Sequence, residues 1–440
     1  MQFSVKIKNK LKRSIDNKAE RSILKNIVKL IAGDGIARVI GFITTPIITR
    51  IYLPEQMGIL SVFVSLLALM APFSTLRYST AIPLPRNDRM SFNLTALSFI
   101  ILCGTTVLIF AIYPFCGKLL LSNLSAIQIH RYWYIIPIAY FAVGLYEILT
   151  QWALRKKQFA AIARTKVTQK LAGATGKIVL GLCGLKPFGL LAGEMLTQMG
   201  GVIYLLRTFI ADFRQNIRYL KKSLLRFSGL YYIDFPRYRL PSSFLLVFSA
   251  KMPLLYFAWK YGAEITGQLS LSVTMLSIPV TLVCASVGKA FYAEISTIGR
   301  KAPEQIYSLT ASIMKKLFLF SFIPFIIIFI SGPWIFKIIF GEAWLQAGVF
   351  ARILSFCLLM QFVYSPISDG IVNVFNRQNT ILVIEIIRTS IITAIFLLSY
   401  FMQLTAISTL VIYSAGLAIH YIIATGIIFQ IINIVKPAKN

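Results

Sequence analysis

Acidic residues are scarce in this chain. Aspartate and glutamate number 15 in 440 residues against 45 lysines and arginines, and only 14% of positions are charged. A soluble globular chain carries about 25% charged residues, so this composition excludes an ordinary water-exposed fold. Histidine occurs twice, at His130 and His420, too few and too far apart to argue a metal site. The five cysteines (Cys103, Cys116, Cys183, Cys284 and Cys357) lie in or beside apolar runs with no CxxC, which excludes a disulfide framework or a zinc centre. The basic N-terminus lacks a short apolar core followed by a small-residue cleavage site and reads as a retained segment. No connection is long enough for a folded soluble domain, which confines function to the apolar part of the chain.

That part is large. Hydrophobic residues make up 57% of the chain, and the mean hydropathy is +0.74. A bilayer crossing needs about 20 apolar residues as helix. Applied along the chain, this rule predicts an all-α polytopic protein with twelve spans, at about 27–49, 58–82, 92–114, 132–154, 170–186, 188–210, 240–259, 268–291, 312–336, 346–372, 378–401 and 404–432.

The formal charge of +30 raises the question of nucleic acid. Lys and Arg fall instead in alternate connections: the N-terminal tail, 155–170, 207–239 and 289–316. That distribution follows the positive-inside rule, excludes nucleic acid as the partner and puts both termini in the cytoplasm. The expected organisation is a basic cytoplasmic segment 1–26, a six-helix lobe 27–210, a basic amphipathic linker 211–239, a second six-helix lobe 240–432 and a tail 433–440.

Tyr52 to Ser61 (YLPEQMGILS) aligns with Tyr261 to Ser270 (YGAEITGQLS), with Tyr, Glu, Gly, Leu and Ser coinciding. Each copy joins the first two helices of a six-span half, the mark of a duplication. Six is even, so the halves enter the membrane in the same sense around a pseudo-two-fold axis along its normal. Transporters built this way move substrate by alternating access around a central cavity. Gly189, Gly193, Gly200 and Gly201 are expected to pack helices closely. The run Gly173 to Lys177 has the wrong spacing for a phosphate loop and lies in a helix, so no ATP site is read.

Ionisable groups in hydrocarbon cost about 2.5 to 3.5 kcal/mol each on insertion scales, so each is a functional candidate. They are Asp34, Arg38, Arg77, Glu147, Lys177, Glu194, Lys251, Arg352, Glu385 and Arg388. A structural reading pairs Asp34 with Arg38 at i,i+4 and Glu385 with Arg388 at i,i+3, with the rest joined across helices or snorkelling. A functional reading collects Arg38, Lys251, Arg388, Lys177, Arg77 and Arg352 as a cationic cavity for a phosphorylated or acidic headgroup. It leaves Asp34, Glu147, Glu194 and Glu385 for ion coupling or charge pairing. The repeat offset sets Lys251 opposite Phe42, one turn from Arg38.

Four separated motifs carry a resemblance: Pro46 to Ser61 (PIITRIYLPEQMGILS), Leu76 to Asp88 (LRYSTAIPLPRND), Gln151 to Ala163 (QWALRKKQFAAIA), and Asp234 to Ser242 (DFPRYRLPS) followed by the second repeat copy. In this order they resemble the polysaccharide transporter family of O-antigen and exopolysaccharide flippases, within the multidrug/oligosaccharidyl-lipid/polysaccharide exporter superfamily. The resemblance implies two six-helix lobes around a central cavity and a cargo of undecaprenyl-diphosphate-linked sugar repeat units. It further implies movement from the cytoplasmic to the periplasmic leaflet of a bacterial inner membrane, with a polysaccharide polymerase and a chain-length regulator as partners. No cofactor is implied; coupling to a proton or sodium gradient, or to the membrane potential, is the expected energy source. The alternatives are a multidrug or organic-ion exporter of the same superfamily, which would want an acidic cavity, and a membrane-embedded glycan polymerase, which would need catalytic carboxylates or an ordered external loop.

Overall fold

A backbone in lipid has no water to bond with and must satisfy its polar groups internally. The computed structural model does so with helices; it describes residues 32–300 and 302–434, and among them no strand occurs. The elements are α1 (32–51), α2 (Pro54–Met70), α3 (Asp88–Asn123), α4 (Ile135–Arg155), α5 (Phe159–Leu182), α6 (Phe188–Asn216), α7 (Lys222–Tyr231), α8 (240–261), α9 (263–298), α10 (Pro303–Phe340), α11 (Leu345–Phe375), α12 (Gln378–Phe401) and α13 (Ala406–Ile434).

Among the described residues, nine helical segments are long and apolar enough to cross a membrane. One of these is α8 and α9 taken together, broken at Gly262, where φ of 88° ends one helix and starts the next. α1 and α5 complete the set of twelve; the charges they carry lower their hydropathy below that of the other spans. The remaining helix, α7, is short.

The expected spans are all present, with shifted ends. α2 does not continue to residue 82: after a 3-10 turn at Ala71–Phe73 the chain passes through left-handed Leu76 and Arg77. Pro72 supplies the reason, since it has no N–H to continue the ladder. α5 starts at Phe159 rather than 170, because Arg164, Lys166 and Lys170 ride on the helix instead of ending it. α3 runs 36 residues, about 54 Å of helix, well beyond the hydrocarbon thickness. The N-terminal segment 1–26 and the tail beyond residue 434 lie outside the described residues.

Two compact units are distinguished by their internal packing. Within the described residues, the first comprises 32–44, 70–115 and 132–243; the second comprises 45–69, 116–131, 244–300 and 302–434.

In the first unit, two of the motifs that carry the family resemblance, 76–88 and 151–163, converge. Arg155 grips Asp88 Oδ1 through Nε (3.0 Å) and Nη2 (2.6 Å), and its Nη1 donates to the Pro85 carbonyl at 2.6 Å. Lys156 Nζ meets Asp88 Oδ2 at 3.0 Å. Tyr78 donates to the Gly229 carbonyl at 3.0 Å, which ties the α2–α3 connection to α7. α5 and α6 approach backbone to backbone because glycines line the seam: a Cβ on Gly193 would stand 2.8 Å from the Lys177 backbone nitrogen, and one on Gly173 would overlap the Thr197 hydroxyl.

In the second unit, the repeat becomes geometry. A Cβ on Gly58 would lie 1.8 Å from the Ala263 carbonyl oxygen, and a Cβ on Gly267 would lie 1.8 Å from the Pro54 carbonyl oxygen. Pro54 aligns with Ala263 and Gly58 with Gly267, so the two contacts are one contact made twice, related by a two-fold. Only glycine permits backbones this close. Around it, Phe257, Leu269, Trp344, Phe350 and Phe396 form a buried core. Trp344 Nε1 donates to the Thr49 carbonyl at 3.0 Å and holds the end of α1.

Candidate functional site

Two clusters of charge lie inside the helices, one in each unit. In the first, α1 presents Asp34 and Arg38 one turn apart, and Arg38 Nε donates to Asp34 Oδ2 at 2.9 Å. The other Asp34 oxygen receives Lys166 Nζ of α5, also at 2.9 Å. Gly33 allows this closeness, since a Cβ there would stand 2.6 Å from that of Ala163. Farther along α5, Lys177 Nζ meets Glu194 Oε2 of α6 at 2.6 Å, with both side chains largely buried. Gln198 donates to the second Glu194 oxygen at 3.2 Å.

Between these two pairs sits Lys170. It lies within electrostatic range of Glu194, Lys177, Arg38 and Asp34, yet its side chain is exposed. Among the described residues no carboxylate comes within ion-pairing distance of it. Lys166, Lys170 and Lys177 follow spacings of four and seven residues, which places them within about 40° of arc on one helix face. The cluster therefore holds Arg38 and three lysines against two carboxylates, an excess of two positive charges in a low-dielectric setting. An arrangement of this kind can hold a compact dianion: the guanidinium offers a planar fork and the ammoniums offer point charges.

In the second unit, Arg388 of α12 meets Glu385 Oε2 at 2.5 Å and donates to Ser249 Oγ of α8 at 3.1 Å. Tyr364, Tyr413, Tyr421 and His420 lie within electrostatic range of Arg388, and Asp369 within range of Glu385. Arg388 and Glu385 balance each other, Asp369 adds a second carboxylate, and aromatic rings surround them. Counted within its own half of the repeat, this cluster uses the first, fifth and sixth helices (α8, α12 and α13), as the other cluster uses α1, α5 and α6, with Tyr364 and Asp369 added from α11.

The remaining expected residues lie elsewhere. Arg77, expected inside the second span, stands beyond the end of α2 with φ of 63°; its Nη1 meets Glu147 Oε1 at 3.2 Å, and Ser79 Oγ donates to the same oxygen at 2.9 Å. Arg352 of α11 donates to the Ile330 carbonyl at 2.9 Å, in the turn of α10 that precedes Pro333. Lys251 lies half-buried on α8, two residues beyond Ser249. Arg38 and Lys251 belong to different units. Among the described residues no group of three His, Cys, Asp or Glu side chains is placed to hold a metal ion.

Lys166 and Lys170 were missed by the sequence reading, which counted both in a basic connection. The signal was their register with Lys177: a loop has no reason to keep three lysines on one helical face.

With this geometry in hand, comparison with known proteins adds the family. A family model described as "Polysaccharide biosynthesis protein" matches residues 47–349. Among solved structures, the chain is similar to "Lipid II flippase MurJ, inward closed conformation", with 12% identity, a TM-score of 0.70, and 93% of this chain and 90% of that chain covered. It is similar also to "Inward-facing conformation of a multidrug resistance MATE family transporter of the MOP superfamily", with 14% identity, a TM-score of 0.55, and 93% and 96% covered. At such identities the likeness is one of fold. No curated protein matches the sequence.

Proposed function

We infer, for a chain that belongs to the polysaccharide biosynthesis protein family, that it is a flippase for undecaprenyl-diphosphate-linked oligosaccharide repeat units in O-antigen or exopolysaccharide assembly. The observation that carries the reading is the net-positive cluster of Arg38, Lys166, Lys170 and Lys177 on membrane-spanning helices. A diphosphate cannot enter hydrocarbon alone, because the idealised cost of stripping water from one small ion is about 20 kcal/mol. The exposed Lys170, with the half-buried Arg38 and Lys166 beside it, takes the place of that water, while the polyprenyl tail stays in lipid.

On this reading the lobes 27–210 and 240–432 alternate access, and the cargo passes from the cytoplasmic to the periplasmic leaflet of a bacterial inner membrane with both termini cytoplasmic. The basic connections support that orientation. Each negative charge carried outward gains about 2.3 kcal/mol per 100 mV of inside-negative potential, a drive that needs no ATP. Asp34 and Glu194, the carboxylates of this cluster, set its charge or couple it to a proton or sodium gradient, while Arg388, paired with Glu385 in the second unit, takes no part in holding the diphosphate. A polymerase and a chain-length regulator then receive the product. A drug exporter of organic cations fits less well, because the first cluster repels cations.

The test is headgroup translocation of a lipid-diphosphate oligosaccharide in proteoliposomes under an imposed potential. Wild type is expected to translocate and a folded Lys170→Ala variant to lose at least about tenfold in rate, the loss of one charge-assisted contact. An inert wild type on several anionic lipids overturns the flippase reading; an unimpaired variant overturns the site.

A further inference from the structure

The connection 217–239 holds a second concentration of positive charge, and here it is carried almost without carboxylate partners. Its single carboxylate is Asp234. Among the described residues, none of Arg89, Arg218, Lys221, Lys222, Arg226 and Arg237 lies within ion-pairing distance of a carboxylate, and all six are exposed. Arg89 and Arg218 stand 4.8 and 5.0 Å from the centre of one ring, that of Tyr219, which holds both guanidiniums in place without neutralising either.

α7 orders the pattern. Leu224, Leu225, Ser228 and Gly229 face the protein, with Gly229 held by Tyr78 and set close to Leu97. Asn93 moors the approach to the helix: its amide donates to the Tyr219 carbonyl at 2.9 Å, and its oxygen accepts from the Lys221 N–H at 3.2 Å. The outward face is graded. Lys222 and Arg226 form one edge, Leu230 the middle, and Phe227 and Tyr231, stacked at 5.7 Å, the other edge. Phe227, Leu230 and Tyr231 expose 53%, 63% and 65% of their surface, far more than water rewards.

We propose that the outward face of α7, with Arg89 and Arg218 beside it, is a docking surface for anionic phospholipid headgroups at the bilayer surface. The aromatic edge enters the acyl boundary while the cationic edge stays level with the phosphates, the geometry of an interfacial helix. A soluble partner would have to cover the apolar edge and cations together, whereas an anionic bilayer presents both complements at one depth. The short moored helix fixes that depth relative to α3 and the α2–α3 connection. This proposal is independent of the cargo.

The experiment uses the full chain in vesicles, with Leu230→Cys carrying a bimane label and the more accessible Cys103, Cys116 and Cys183 changed to Ser so that only the new thiol reacts. Brominated phosphatidylglycerol and brominated phosphatidylcholine are supplied in turn at equal mole fraction. The expected result is at least about threefold stronger local enrichment of the anionic lipid, since each basic residue near a charged surface contributes about 1 kcal/mol. Lys222→Glu with Arg226→Glu is expected to abolish the preference while quenching by both lipids persists, which shows the helix still docked. Equal quenching by both lipids in the parent protein overturns the charge selectivity. No quenching by either places the face off the membrane and overturns the proposal in favour of a soluble partner.

Discussion

The two intramembrane clusters occupy equivalent places in the repeat and have opposite chemistry. In the first unit the equivalent helices carry lysines with an excess of positive charge and an exposed cation in the middle. In the second they carry one Arg–Glu pair among tyrosines, with Asp369 within range of Glu385. Duplication kept the scaffold and released the side chains: packing contacts such as Gly58 and Gly267 must match their symmetry partners, whereas charged groups away from that contact have no such obligation. On the function proposed above, the asymmetry divides the tasks, with charge capture in the first half and an aromatic-rich surround without excess positive charge in the second.

That comparison can be broken most forcefully at Lys177. Lys177→Met leaves Glu194 buried and unpaired, and thermal unfolding in detergent is expected to show a loss of about 3 to 5 kcal/mol, with the double variant Lys177→Met/Glu194→Met recovering most of it. Failure of the double variant to recover would assign the loss to packing rather than charge. Next come the glycines. Gly58→Ala and Gly267→Ala each force a methyl group against a backbone carbonyl, and equal destabilisation of about 1 to 3 kcal/mol is expected from the same assay. Unequal losses would show that the crossing is less symmetric than its contacts.

A smaller change sharpens the functional contrast. Lys170→Ala is expected to cut translocation by about tenfold, near 1.4 kcal/mol, with little change in unfolding, because no carboxylate lies within ion-pairing distance of it among the described residues. Arg388→Gln should do the opposite, lowering stability while binding of a soluble diphosphate, measured by calorimetry, stays within about twofold. Smallest of all, Lys166→Gln removes a half-exposed partner of Asp34, which retains Arg38, so unfolding should shift by less than about 1 kcal/mol.

Much of the fold was legible from the sequence because spans advertise themselves as apolar runs, and the pairs Asp34–Arg38 and Glu385–Arg388 were legible because both partners share one helix. Charge misled the reading wherever it rode inside a helix. The lysines of α5 looked like a cytoplasmic connection, so its first 11 residues were assigned outside the span and Lys166 was lost with them. Lys177–Glu194 and Arg77–Glu147 were illegible for a different reason: their partners are 17 and 70 residues apart, and only helix packing brings them together. The glycine seam that positions the first of these was expected as packing, but its consequence for the charge it seats was not.

The reciprocal contact of Gly58 with Ala263 and of Gly267 with Pro54 has a meaning for the protein's history. A patch in which one residue touches another and the second copy returns the same touch is the rule of an isologous dimer. The chain carries such an interface inside itself. A six-helix ancestor pairing with its own copy would have met across this crossing, and joining the copies through 211–239 would have made permanent what had been a concentration-dependent encounter. Fusion also ends the constraint that both protomers share one sequence, so a lysine cluster can arise on one side of the axis without appearing on the other.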